Sequence, residues 1–126
     1  MALLTSADFT GLISSPLLVR LTNDTAGASS VDETVIDKVS AAAWDEMWAN
    51  GCAAAKAAGF PTPDVPTTVP STGPLREMLR KVTRYGLYSR RPETLSGPEG
   101  DVIRIERNDA INLMVTMGKS GTLSEE

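Results

Sequence analysis

The chain has 126 residues, the length of a single domain, and its 12 basic and 16 acidic side chains give a net charge of −4 at pH 7. It contains no histidine, which excludes Ser-His, Cys-His and histidine-ligated metal chemistry for a lone subunit. The single cysteine, Cys52, cannot form an internal disulfide and is too few for a cysteine-only zinc site. We therefore expect neither an enzyme nor a cofactor or metal site.

The N-terminal residues show no signal for export. Residues 1–15 lack a basic region, and Asp8 comes before any long apolar run. No stretch of the chain reaches the roughly 18 to 20 uninterrupted apolar residues of a membrane span. We expect a soluble protein, with no membrane contact, that stays inside the cell until it is assembled into something larger.

Two short helical elements are predicted at the start of the chain. Residues 5–13 have apolar side chains on one helical face, with Asp8 near the positive end of the helix dipole. Pro16 opens a second short helical turn, and residues 25–30 (TAGASS) suit a loop.

The longest predicted helix follows Asp32, a candidate N-cap, with Glu33 in its first turn. Its Ala-rich stretch at residues 35–58 contains no proline, and Gly59 is the expected stop. At 100° per residue its apolar side chains spread over an arc of roughly 180°, whereas a helix with one partner needs only roughly 100°. The wide arc either completes a small core or packs against a second subunit, and we favour the second subunit. The side chains predicted for that interface are Trp44, Met47 and Trp48.

Residues 60–74 contain five of the eight prolines, which predicts a long extended loop or arm. Pro74 is suited to the first position of a third helix, which we expect to end near Arg91. The apolar residues of this helix share one face. The opposite face carries a row of arginines four residues apart, Arg76, Arg80 and Arg84.

The last helix is predicted to start between residues 100 and 102 and to end near Met117. Its inner face consists of Ile103, Ala110, Ile111, Met114 and Met117. The sequence therefore predicts an all-α fold, a small bundle of about four helices in residues 1–117, followed by a flexible C-terminal tail at 118–126.

Two weak motifs fit structural roles better than chemical ones. Gly118-Lys119-Ser120 resembles the end of a phosphate loop, but Leu113 stands where that loop needs its first glycine and a helix precedes it. Carboxylates such as Asp45 and Glu46 have the spacing of solvated helix faces rather than of an acid–base pair.

Charge is distributed unevenly along the chain. Residues 76–91 carry six basic side chains and one acidic one, a net of +5, while the rest carries six basic and fifteen acidic ones, a net of −9. The basic segment is either a solvated helix face with a Glu77–Lys81 pair, or a contact for an acidic partner or a passing polyanion. The overall negative charge argues against a dedicated DNA-binding module.

Several short motifs occur in an order that is typical of one family. They are Leu21-Thr22-Asn23-Asp24, the long Ala-rich helix, Phe60-Pro61, Arg84-Tyr85-Gly86-Leu87-Tyr88, Arg91-Pro92-Glu93, and Asn108-Asp109-Ala110-Ile111 with Gly118 and Leu123 beyond it. In this order the chain resembles the small all-helical head-tail adaptor proteins of Mu-like tailed phages. It departs from them in the Ala-rich end of the long helix and in a longer Pro-rich loop.

The resemblance implies a structural role in the virion. Such adaptors form a ring, usually of twelve copies, beneath the portal protein, where they extend the DNA channel and dock the next neck or tail protein. Double-stranded DNA would pass through without sequence-specific binding, and the protein would reside in the host cytoplasm before assembly. The residues expected to contact the portal or another partner are Arg76, Arg80, Arg84, Lys119 and Leu123.

Two other functions remain open from the sequence. One is a small helical nucleic-acid-binding regulator that uses the arginine row. The other is a cytoplasmic protein-interaction module unrelated to phage.

Overall fold

The structure is a computed structural model that describes residues 4–23, 30–62, 64, 66 and 73–121. Its described part is all-α, as the sequence predicts, with four α-helices. These are α1 (Ser15–Thr22), α2 (Glu33–Ala57), α3 (Pro74–Ser89) and α4 (Pro98–Lys119). Short 3₁₀ helices occupy Ser6–Phe9 and Pro92–Leu95.

Local sequence signals account for the ends of α2. Asp32 caps its first turn, because a side-chain oxygen of Asp32 accepts a 3.0 Å hydrogen bond from the backbone N–H of Thr34. At the other end Gly59 adopts a φ of +86°, and the N–H of Phe60 bonds back to the carbonyl oxygen of Ala55 at 2.9 Å. This is the glycine-terminated helix end that the sequence predicts.

Both α3 and α4 begin with the same pair of residues. Gly73 and Gly97 have φ values of +104° and +91°, and the proline that follows each of them is the first helical residue. We predicted this start for α3 but placed the start of α4 at residues 100–102. The helix begins earlier, at Pro98, and it ends at Lys119, so residues 118 and 119 are helical rather than part of a tail.

The first predicted helix is shorter than expected. Only Ser6–Phe9 is helical, as a 3₁₀ turn, and Asp8 closes it by accepting a 2.8 Å hydrogen bond from the backbone N–H of Thr5. Phe9 is fully buried and joins this turn to the core.

Helices α2, α3 and α4 pack against one another around one hydrophobic core, with α1 at its edge. The backbones of α2 and α4 approach closely at Gly118, where a Cβ atom would overlap the carbonyl oxygen of Gly51. Phe60 lies against Gly121 at the same end of the bundle. The core is mainly aliphatic, and it also contains four of the six aromatic rings of the chain, those of Phe9, Trp44, Trp48 and Tyr88.

Candidate interaction surfaces

The three side chains that we predicted at a subunit interface are instead in the core of the chain. Trp44, Met47 and Trp48 are only 2%, 0% and 1% exposed. The two indole rings pack edge to face with their centroids 5.7 Å apart. The expectation of an interface at these residues is therefore wrong for this fold, because the chain itself covers them.

The wide apolar arc of α2 has several partners within the same chain. Helices α3 and α4 both pack on α2. The Pro-rich segment also reaches it, because the carbonyl oxygen of Pro66 accepts a 2.7 Å hydrogen bond from Nε1 of Trp44. The sequence correctly indicated more than one partner for α2, but these partners are other parts of the same molecule.

The first two arginines of the predicted row hold the N-terminal turn against α3. Arg76 forms a 2.5 Å ion pair with the carboxylate of Asp8. Arg80 donates a 2.6 Å hydrogen bond from Nε to the backbone carbonyl oxygen of Asp8 and pairs with Glu77 at 2.6 Å. Burial alone would raise the pKa of Asp8, but the hydrogen bond from Thr5 and the charge of Arg76 outweigh it and hold that pKa below its usual value of 3.8.

The third arginine of the row is the most enclosed. The side chain of Arg84 is 11% exposed and lies 3.4 Å from Glu106 and 3.7 Å from Glu99. Its guanidinium also lies 5.7 Å from the centroid of the Tyr88 ring. Burial, together with the nearby carboxylate of Glu99, raises the pKa of Tyr88. Arg76, Arg80 and Arg84 thus serve contacts inside the chain, where we had expected a partner.

The remaining partner-contact candidates lie at the C-terminal end. Lys119 is the last residue of α4, and its side chain is exposed. Leu123 lies outside the described residues.

A groove of about 340 Å³ opens between α2 and α3. Its walls are mainly apolar, and the lining residues are Lys38, Val39, Ala42, Ala43, Glu46, Val82, Tyr85, Gly86 and Arg107. Arg107 reaches it from α4, where its guanidinium pairs with Glu46 and lies 5.4 Å from the centroid of the Tyr85 ring. We call this feature the α2–α3 groove.

The outer face of α4 carries three large apolar side chains in solvent. Val102, Ile105 and Leu113 are 51%, 59% and 44% exposed, and Asp109 lies between them on the same face. We call these four residues the α4 ridge. We did not predict this surface from the sequence, because we considered only the inner face of this helix. The signal was present, since apolar residues also recur three and eleven positions after Val102.

One of the two carboxylates that we weighed as acid–base candidates is engaged in an ion pair with arginine. Glu46 pairs with Arg107, whereas Asp45 is exposed. Within the described ranges, no group of three or more cysteine, aspartate or glutamate side chains is arranged to hold a metal ion.

None of the helices in the described part of the chain combines the length and apolarity needed to cross a membrane. A scan of protein-family models and searches of curated proteins and of solved structures found no match to the chain.

Proposed function

We propose that this chain is a structural subunit of a tailed-phage head-tail connector, which forms a ring beneath the portal and docks the next neck or tail protein. The observation that carries the proposal is the α4 ridge. Apolar surface is exposed to water there by Val102, Ile105 and Leu113. This exposure is unfavourable in free energy, and burial against another protein would remove the unfavourable contribution.

The fold and the order of motifs support the same role. An all-α domain is what the resemblance to Mu-like adaptors implies, and its motifs extend over most of the chain. A ring subunit needs two lateral surfaces in addition to those that meet the portal and the next component. The α4 ridge and the α2–α3 groove are two separate surfaces available for such contacts.

The nucleic-acid-binding alternative receives less support from the side-chain contacts. Non-specific DNA binding depends on cations that neutralise phosphates. Arg76, Arg80 and Arg84 are already paired with the carboxylates of Asp8, Glu77, Glu99 and Glu106. A DNA strand would have to compete with these contacts.

The proposal is tested on virions of the phage or prophage whose genes surround this one. Cryo-electron microscopy of the neck should show a ring of this chain beneath the portal. Particles from a strain with an early stop codon in the gene should accumulate as DNA-filled heads without tails. A neck of wild-type particles that lacks this chain would overturn the proposal.

A binding assay separates the nucleic-acid-binding alternative. We expect the purified chain to bind double-stranded DNA weakly even at low salt. Tight binding that is lost steeply as the salt concentration rises would favour the regulator instead.

A further inference from the structure

The α4 ridge and the α2–α3 groove lie on opposite sides of the helix bundle. At 100° per residue the four residues of the ridge fall within an arc of about 80° on α4. Arg107, whose side chain lines the groove, is on the same helix at about 160° from the centre of that arc. One side of the molecule therefore projects apolar side chains, and the other side has an apolar recess.

The free charges of the two surfaces are complementary. On the ridge, Asp109 is exposed and has no ion-pair partner among the described residues. In the groove, Arg107 neutralises Glu46. Lys38, at the rim, is exposed and likewise unpaired in the part of the chain that the structure describes. The ridge thus carries one uncompensated negative charge and the groove one uncompensated positive charge.

We propose that the α4 ridge of one copy docks into the α2–α3 groove of the next copy, with Asp109 of the first facing Lys38 of the second. The contact is heterologous, so every copy uses both surfaces and a chain of copies either closes into a ring or continues as a filament. The inference rests on the proposed function, since it names the lateral contact of the ring.

A small residue leaves room in the groove for an apolar side chain from a neighbour. Ala42 is exposed on the α2 wall, so a branched side chain such as Ile105 can lie there without meeting a large residue. At Gly86 the α3 wall is packed directly on Val39 of α2, since a Cβ atom there would lie 2.7 Å from a methyl carbon of Val39. The two walls of the groove therefore meet at this position.

A symmetric contact between two ridges fits the charges less well. In an antiparallel pair centred between residues 107 and 108, the two copies of Asp109 would be offset by only three residues, about 4.5 Å along the helix axis. Two unpaired carboxylates would then face each other at an apolar contact, which is unfavourable. The ridge-to-groove contact places a cation there instead.

A charge-swap experiment tests the contact. The variants are Asp109→Lys, Lys38→Glu and the two combined, and their self-association is measured by sedimentation velocity and native mass spectrometry at low salt. We expect each single variant to weaken association by about 10-fold or more and the combined variant to regain most of the loss. Circular dichroism and thermal unfolding check that all three remain folded.

A matched control uses the second exposed lysine of α2. Lys56→Glu makes the same charge change on the same helix, about 27 Å along its axis from Lys38. This variant should associate like the wild type. Ile105→Ser should weaken association at high salt as well as at low salt, because it removes apolar contact rather than charge.

Three results would overturn the inference. One is a combined variant that self-associates as weakly as the single variants. Another is a loss with Asp109→Lys but none with Lys38→Glu, which would mean that Asp109 faces a group other than Lys38. The third is a wild-type chain that remains monomeric at about 1 mM.

Failure of this contact can be told apart from failure of the proposed function. If the virion neck contains a ring of this chain but the combined variant does not regain association, only the proposed contact is wrong. If the combined variant regains association but the chain is absent from the virion, only the connector role is wrong.

Discussion

The indole Nε1 of Trp44 donates a 2.7 Å hydrogen bond to the carbonyl oxygen of Pro66, 22 residues further along the chain. This contact ties the Pro-rich segment to the long helix α2. Trp44 is only 2% exposed, and the Pro-rich segment is one of the parts of the chain that cover it.

Trp44 and Trp48 should respond differently to replacement by phenylalanine. Both changes remove an indole N–H and some buried volume, but the Nε1 of Trp48 has no hydrogen-bond partner among the described residues. Trp44→Phe also loses the bond to Pro66, which is worth about 1 kcal/mol. We expect urea unfolding to show that Trp44→Phe loses more unfolding free energy than Trp48→Phe, by about that amount. Equal losses for the two variants would contradict a role of the Pro66 contact in stability.

The helices could be predicted from the sequence because their signals are local. Asp32 and Gly59 bound α2, and Gly73 with Pro74 starts α3. We placed the start of α4 too late, although Gly97 and Pro98 repeat the signal that opens α3.

The interaction surfaces could not be predicted in the same way because they depend on distant parts of the chain. A helical projection gives the width of the apolar arc of α2. It does not show whether Pro66 or another subunit covers Trp44. Likewise the arginine row is visible in the sequence, whereas the partner of Arg76 is Asp8, 68 residues away. Only the folded chain brings these residues together.

Two glycines of the bundle should differ in their tolerance of alanine. A Cβ atom on Gly118 would overlap the carbonyl oxygen of Gly51 and lie 3.0 Å from the backbone nitrogen of Ala55, so α2 and α4 would have to separate. We expect Gly118→Ala to destabilise the chain by about 1 to 3 kcal/mol. A Cβ on Gly86 would lie 2.7 Å from a methyl carbon of Val39, so it would meet a side chain rather than the backbone of α2.

The matched control is therefore Gly86→Ala. Alanine also favours a helix over glycine by up to about 1 kcal/mol, which offsets part of the contact with Val39, so this variant should lose less stability than Gly118→Ala. Thermal and urea unfolding of the two variants measure the difference. A Gly118→Ala chain as stable as the wild type would mean that the helices do not cross so closely.

The ion pair of Asp8 with Arg76 should make stability depend on pH in the acid range. The pKa of Asp8 is lowered by folding, so its contribution is complete above the unfolded-state value near 3.8 and is lost as the pH falls through the lower native-state value. Asp8→Asn removes this contribution at every pH. We expect the variant to be less stable than the wild type by about 1 kcal/mol at pH 7.

The difference between wild type and Asp8→Asn should shrink as the pH falls below 3.8. Urea unfolding at a series of pH values measures it, and a carboxyl NMR titration of the wild type gives the native-state pKa directly. A stability difference that is the same at pH 7 and at low pH would show that the carboxylate charge is not involved.

Two isoleucines of α4, two positions apart, should differ strongly in how much stability is lost when each is replaced by alanine. Ile103 is fully buried, whereas Ile105 is 59% exposed on the α4 ridge. Ile103→Ala leaves a cavity in the core and should cost about 2 to 5 kcal/mol of unfolding free energy. Ile105→Ala removes a side chain that is mostly in water, so the monomer should change by less than about 0.5 kcal/mol.

Urea unfolding at protein concentrations low enough to keep the chain monomeric provides the comparison. The two variants remove the same atoms from neighbouring positions of one helix, so differences in helix propensity cancel. A large loss from Ile105→Ala under these conditions would mean that the ridge packs within the chain. In that case its apolar side chains would be part of the core and not a surface for a neighbouring molecule.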